Sequence, residues 1–551
     1  MAVKVSFADL THMGQVVAAN TFPLGIGYVA AYANQELGDE IDFEIFKYPE
    51  DFSLHLETNV PQIAGFSSYS WAIQLNYEYA RRIKETSPKT ITVFGGPNFP
   101  SVLNEQQEFL ASHPAIDCYL EFEGEKAFVG LFNALKEIDF DWEKFKQART
   151  LVPNVRYLVD GELVTGNLEP KTKELDEYPS PYLNGRLDKF FDDVLIPMVQ
   201  TTRGCPYTCT FCWEGGDYFQ KTIRFSPDRI TKELRYMAER VNIVPDLEIV
   251  DANYGMFKGD IDTAKEIAAI KSNHPHSWPK SIIVATAKNH KERTTDIVKI
   301  LGDIMPPKAA VQSTDETILK AIRRENVSLE AIMSMAATVV EGGGQSESEL
   351  ILCLEGDSKR AHFKTITDML DAHMTFIRMY QFMLLPGTQS SIKENQAKYG
   401  MVTRFRVLPR CFGDYSIKGQ SMPVAEIEEI VVANSTMPYE DYQACRDFDL
   451  SIEIFNNDSI FLDLVTFLVR HGVKRSEFIL ASHDQIINGN GVLPDLYAQF
   501  REEEKTNLWE NKEELEAFVQ QPGVIDRYID GEYGTNELYK YRALAVFYHI
   551  E

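Results

Sequence analysis

Residues 201–213 read Thr-Thr-Arg-Gly-Cys-Pro-Tyr-Thr-Cys-Thr-Phe-Cys-Trp. Cys205, Cys209 and Cys212 stand here at a C-x3-C-x2-C spacing. Three soft thiolates so spaced can hold three irons of a [4Fe–4S] cluster. The fourth iron is then left without a protein ligand, and an open metal position is a place for substrate chemistry. A zinc site would want four ligands, and no His or second Cys pair lies nearby. The other cysteines, Cys118, Cys353, Cys411 and Cys445, are scattered and read as small core residues.

Working outward, residues 195–200 read as a strand that delivers this loop. Strand candidates follow at 247–251, 281–285, 309–312, 350–354 and 379–385, with helices between them, the first at 227–240. Six strands with intervening helices predict a partial (β/α)6 barrel, whose reactive groups gather at the C-terminal strand ends. Upstream, strands at 3–7, 63–67 and 90–94 alternate with helices at 24–36 and 71–85. That order predicts a Rossmann-like, doubly wound parallel sheet. Residues 169–183 contain Pro170, Pro179 and Pro181 and read as a linker. From about residue 396 the expected elements are helices at 424–432, 439–448, 460–470 and 513–518. The expected fold is therefore α/β with a mostly helical C-terminal region, divided at 1–180, 181–395 and 396–551. The acidic runs 502–504 and 513–516 read as solvated helix faces, and Tyr539, Tyr541 and Tyr548 as packing aromatics.

The chain has 551 residues, 44% hydrophobic and 25% charged, with a formal charge of −27. This composition is globular. The acidic balance argues against a sequence-independent nucleic-acid binder, which needs cations to neutralise phosphates. No run approaches 18 uninterrupted apolar residues, so no membrane span is expected. The N-terminus lacks the basic and apolar regions of a signal peptide. A reducing cytoplasm is the expected location.

Over about residues 190–395 the chain resembles the radical S-adenosylmethionine (SAM) enzymes. The cysteine loop is similar to their cluster loop, whose open iron binds the amino and carboxylate groups of SAM. Phe211 stands where the family commonly has an aromatic residue near the SAM adenine. Asp251-Ala252-Asn253-Tyr254-Gly255 follows the second strand, at the place of an Asp-x-Asn-Phe-like motif near the SAM amino group. Gln312-Ser313-Thr314-Asp315, with Leu319–Arg324 behind it, looks like the family's Gln-Ser-Gly-Ser segment, with Thr314 where Gly is usual. Leu354-Glu355-Gly356-Asp357 stands where many relatives carry Gly-x-Pro-Gly-Glu, and Leu385-Pro386-Gly387-Thr388 matches a sixth-strand Pro-Gly-Thr. The resemblance implies cluster ligation by Cys205, Cys209 and Cys212, and SAM contacts from Phe211, Asp251, Asn253, Gln312 and Ser313.

The first 180 residues carry a second resemblance. Pro23–Tyr32, Ala64–Tyr69, Phe94-Gly95-Gly96-Pro97 and Glu121–Glu125 look like the cobalamin-binding domain fused to many radical SAM enzymes. That resemblance implies a cobalamin tail in the crevice at the strand ends, hydrogen-bonded by Ser67 or Ser68, with Gly95 and Gly96 leaving room for it. The family's cobalt-ligating Asp-x-His-x-x-Gly is absent. Asp9–Gly14 imitates it at the wrong spacing, so His12 reads as a polar loop residue.

Together the two halves are similar to the cobalamin-dependent radical SAM enzymes, a group rich in methyltransferases. The resemblance implies reductive cleavage of SAM at a [4Fe–4S] cluster to a 5′-deoxyadenosyl radical. With cobalamin as methyl carrier it further implies methylation of an unactivated carbon or phosphorus of a small-molecule, lipid or peptide substrate. Cyclisation or rearrangement with the same cofactors, and a vestigial cobalamin domain, are the alternatives. An electron donor such as flavodoxin or ferredoxin is implied as a partner.

Overall fold

The computed structural model describes residues 2–288, 291–306, 308–326 and 346–549. The N-terminal sheet contains β1 (Val3–Ala8), β2 (Ile41–Phe46), β3 (Ile63–Ser67), β4 (Ile91–Gly95), β5 (Cys118–Leu120), β6 (Val155–Val159) and β7 (Glu162–Thr165), in the order β2-β1-β3-β4-β5-β6-β7. The first five strands are parallel, and β6–β7 close the edge as an antiparallel hairpin. Helices α1 (Leu24–Leu37), α2 (Pro49–Thr58) and α3 (Ile73–Thr86) cross over between the parallel strands. The β3 run Ile-Ala-Gly-Phe-Ser is buried at every position, as a central strand covered on both faces must be. The strand order reverses between β1 and β3, and such a switch point opens a ligand crevice at their C-terminal ends.

The second unit has six parallel strands in two sheets of three. β8 (Met198–Val199), β11 (Asp246–Tyr254) and β12 (Ser281–Thr286) form one. β13 (Lys308–Gln312), β14 (Glu347–Leu352) and β15 (Phe376–Gln381) form the other. Between β8 and β11 the short strands β9 (Thr202–Arg203) and β10 (Ile223–Arg224) flank the cysteine loop. Thr286 Oγ1 donates to the Lys308 carbonyl at 3.0 Å and joins the two sheets. Each expected barrel strand is found within a few residues of its place. The helix after the cysteine loop runs Pro227–Ala238, because Ser226 caps the Arg229 N–H and Pro227 suits the first turn.

The C-terminal region departs from expectation at residues 424–432. They form no helix but lie in a long hairpin of β16 (Val402–Ile417) and β17 (Gln420–Ala433). The i, i+3 spacing of Val424, Ile427 and Ile430 imitates a helix. What decides is tertiary: Glu426 and Glu428, polar on a helical wheel, are buried against partners across the hairpin and beyond it. The remainder is helical, with Tyr439–Phe455 at its centre. The hairpin also enters the N-terminal unit, where Tyr415, Ile417, Met422 and Val424 share a core with Phe46, Phe52, Phe66 and Phe94. Each such side chain contributes about 1.5–3 kcal/mol on burial. Among the acidic runs, Glu504 is buried against Arg446 rather than solvated, at 2.6 Å. Tyr541 packs, whereas Tyr548 is exposed.

Candidate active site

The cysteine loop is tied down from several sides. Asp251, at the end of β11, accepts the Thr201 N–H at 2.7 Å, the Thr202 N–H at 3.0 Å and the Thr201 hydroxyl. Burial raises its pKa to about 6 against those donors. Asp251 thus anchors the root of the loop, a positioning role. The Cys205 N–H bonds the Phe219 carbonyl (2.9 Å) and Thr210 N–H the Ile322 carbonyl (3.1 Å). Cys205 and Cys209 are buried and Cys212 is partly exposed.

Donors meet the sulfurs. Asn253 Nδ2 donates to Cys205 Sγ at 3.1 Å, and Lys288 Nζ lies 3.8 Å from Cys209 Sγ. The buried Arg324 guanidinium, bonded to Asn326 and the Ala310 carbonyl, interacts electrostatically with Cys209 and Cys212. Burial, with Glu214 next, pushes the Cys212 thiol up to about 11, so iron binding there must displace a proton. Among the described residues no three His, Cys, Asp or Glu side chains converge as tightly as a single ion requires. Cluster thiolates bind separate irons, so they need no such convergence.

Among the buried polar atoms left without a hydrogen-bond partner in the described residues are three at the barrel strand ends: Asn253 Oδ1, Gln312 Oε1 and Glu355 Oε2. They belong to the C-terminal ends of β11 and β13 and the loop after β14. An orphaned buried acceptor is costly, and three around one loop fit a polar ligand. Gln312 is held at φ 62°, a left-handed backbone unusual for a side-chain-bearing residue. Ser313 is turned inward instead, its hydroxyl accepting the Asp315 N–H at 3.2 Å. Phe211 is half-buried against the Ile318, Ile322 and Leu352 core. Glu355 was legible only as part of its motif. Its Oε1 accepts Thr210 Oγ1 at 2.9 Å and the Ser390 hydroxyl, joining the cysteine loop to two barrel loops.

In the N-terminal crevice the Ser67 hydroxyl is spent on protein and the Ser68 hydroxyl is not. Ser67 donates to Asp9, which also pairs with Lys47 at 3.1 Å. Ser68 is fully buried, and its Oγ has no hydrogen-bond partner among the described residues, since the nearby Tyr119 hydroxyl donates to the Gly96 carbonyl at 2.9 Å. A Cβ on Gly96 would stand 2.7 Å from the Ser68 carbonyl, and φ is 128° there. A Cβ on Gly95 would meet Leu120 at 3.4 Å. Gly96 thus lets the loops after β3 and β4 close on each other, whereas Gly95 makes only ordinary contact with β5. His12 lies in the loop after β1, as expected, but inside the protein. It is fully buried, with Nδ1 3.0 Å from the Tyr415 hydroxyl and Nε2 3.0 Å from Glu426 Oε1. With both nitrogens engaged it has none for cobalt. What remains for a cobalamin is the switch-point crevice itself, rimmed by the Asp9–Lys47 pair and the stacked Tyr69–Trp71 rings at 4.5 Å.

The two units meet at the cysteine loop. Arg203, two residues before Cys205, pairs with Glu125 of the N-terminal unit at 2.7 Å, between the Tyr28 and Tyr178 rings. Gly387, at φ 83°, sits where a Cβ would lie 2.7 Å from the Phe99 carbonyl and 2.9 Å from Trp213.

Comparison with known proteins agrees with this arrangement. A B12 binding domain family model matches residues 11–132. The chain is 28% identical over 488 residues to 2-(S-pantetheinyl)-carbapenam-3-carboxylate methyltransferase of Streptantibioticus cattleyicolor, covering 86% of this chain and 68% of the relative. It is 27% identical to the cobalamin-dependent radical SAM methyltransferase TokK of Streptomyces tokunonensis, over 87% of this chain and 70% of that one. The fold is similar to the radical SAM methyltransferase TsrM of Kitasatospora setae, at 13% identity and TM-score 0.58, covering 92% and 99% of the two chains. The chain is a cobalamin-dependent radical SAM enzyme, with its B12-binding domain ahead of the half-barrel.

Proposed function

We propose that this enzyme transfers a methyl group from SAM to a carbon of a small or carrier-bound molecule, and that Cys205, Cys209 and Cys212 hold its cluster. The observation that carries the reading is the trio of orphaned acceptors, Asn253 Oδ1, Gln312 Oε1 and Glu355 Oε2, around a loop whose thiols already receive donors. When bound, the cluster supplies the electron for SAM cleavage and cobalamin supplies the methyl group.

The chain's own residues do the rest. Asn253 donates to Cys205 and turns its carbonyl oxygen toward the strand ends, where it can accept from the SAM amino group. Gln312 offers the same from β13. Asp251 and Glu355 keep the loop fixed between barrel strands, and Arg203 fixes it to the B12-binding domain. One relative is named a 2-(S-pantetheinyl)-carbapenam-3-carboxylate methyltransferase and another a cobalamin-dependent radical SAM methyltransferase, which favours methyl transfer over cyclisation. A low-potential donor such as flavodoxin or ferredoxin, in a reducing cytoplasm, suits such a cluster. Residues 396–551 are the part that shapes the substrate pocket.

The test is product analysis with the anaerobically reconstituted enzyme, reductant, SAM and 2-(S-pantetheinyl)-carbapenam-3-carboxylate as probe. Methyl transfer gives S-adenosylhomocysteine and 5′-deoxyadenosine together. 5′-Deoxyadenosine alone, with an isomerised probe, would replace methylation by rearrangement.

A further inference from the structure

The half-barrel has an inward face whose charges the cluster chemistry does not use. On β14, Leu350 and Leu352 pack outward into cores that include Ile366 and Ala361 of the helix Lys359–Asp371. Side chains alternate along a strand, so Glu347, Glu349 and Ile351 face the lumen. On β15, Ile377 and Met379 pack outward, so Phe376, Arg378 and Tyr380 face inward. The parallel register sets Arg378 beside Glu349, Tyr380 beside Ile351 and Lys308 beside Glu347.

The two cations of this face differ. Lys308 Nζ lies 3.2 Å from Glu347 and 3.1 Å from Glu349, so its charge is spent. Arg378 is half-buried, its guanidinium 5.1 Å from the centroid of the Phe376 ring. Among the described residues it makes no side-chain hydrogen bond and no ion pair. Tyr380, Tyr539, Glu347 and Glu349 act on it electrostatically without bonding it, and a planar fork with five N–H donors, partly removed from water and engaged in no hydrogen bond, is what a bidentate carboxylate fills.

We propose that Arg378 anchors a substrate carboxylate in the barrel lumen. The carboxylate is favoured over a phosphate because Glu347 and Glu349 balance Lys308 and Arg378, so the face is neutral and a dianion beside the two glutamates is repelled more than a monoanion. The body attached to it is apolar or aromatic. Tyr380, one step along the same face, is 46% exposed, and Ile283, on the inward face of β12, is 43% exposed. Large side chains left open inside a barrel are lining for a ligand. The proposal rests on the methyltransferase reading, since that reading makes this lumen the substrate site.

The test measures binding by calorimetry to the reconstituted full-length enzyme with SAM present. The probes are 2-(S-pantetheinyl)-carbapenam-3-carboxylate and its C3 methyl ester, which differ by one charge. The wild type is expected to bind the acid at least tenfold more tightly than the ester. Arg378→Met is expected to lose that preference and Arg378→Lys to keep part of it, with the cluster spectrum as the folding check. Acid and ester binding alike, or an acid that does not bind, overturns the proposal, and the wild-type comparison stands even if both variants misfold. Failure of the methyltransferase reading looks different: the acid binds through Arg378 and no S-adenosylhomocysteine forms.

Discussion

The cysteine loop and the crevice at the ends of β1 and β3, the two proposed cofactor sites, are built in opposite ways. The loop carries its chemistry within 13 consecutive residues, and its supports, Asp251 and Asn253, come from the next barrel strand. The crevice is held from 400 residues away. Glu426 of the C-terminal hairpin accepts the Gln74 and Leu75 N–H groups, both at 2.9 Å, and meets His12 as well. Helix α3 has no side-chain cap of its own at its N-terminus, and Glu426 takes that place. A local motif can be moved between proteins as a piece, whereas this crevice depends on the whole chain.

Breaking the long-range support has the largest expected effect. Glu426→Ala leaves His12 and two helix N–H groups unsatisfied in the interior. We expect a loss of about 3–5 kcal/mol in chemical unfolding, with cobalamin content falling before iron content. Equal loss of both cofactors would mean that the hairpin supports the two sites alike.

The root of the cysteine loop gives a pH signature. Asp251 titrates near 6 when folded, against 3.8 for the ordinary group, so the folded chain holds this proton more tightly. Its contribution to stability is full below pH 3.8 and is lost as pH rises through 6, by roughly 3 kcal/mol. The pH dependence of unfolding of the apo chain should lose that component in Asp251→Asn.

At the junction of the two regions, Gly387→Ala puts a methyl group against Phe99 and Trp213 at a positive φ. We expect about 1–3 kcal/mol of destabilisation. Proteolysis of the 169–183 linker, followed with time, should report it as faster cutting.

The smallest effect sharpens the local side. Asn253→Ala removes one N–H donor to Cys205, worth about 0.5–1.5 kcal/mol. Reduced clusters carry more negative charge and gain more from such donors. The midpoint potential should therefore fall by roughly 20–60 mV in a spectroelectrochemical titration.

The same contrast explains what the sequence revealed. The cysteines, the barrel strands and the Gln312 and Asn253 positions were legible because spacing and period are local. The β6–β7 hairpin had a local signal too, Asp160-Gly161 between alternating apolar residues, both at positive φ. The β16–β17 hairpin did not, since Lys418-Gly419 is a weak turn signal and its buried glutamates mimic a solvated helix. That Ser67 donates to Asp9 was not legible, because a motif tells which loops meet, not which partner each side chain finds. Arg378 was missed for the converse reason. An arginine on a strand is ordinary until the fold shows which of its neighbours are already paired.

The most direct test of two cofactor sites in one chain is iron and cobalt analysis of the protein purified without oxygen with hydroxocobalamin supplied, alongside the Cys205→Ala, Cys209→Ala, Cys212→Ala triple variant. The account predicts about four irons and one cobalt per wild-type chain, and a variant that keeps cobalt but loses iron. A wild type without cobalt, or a variant that still holds four irons, would contradict it.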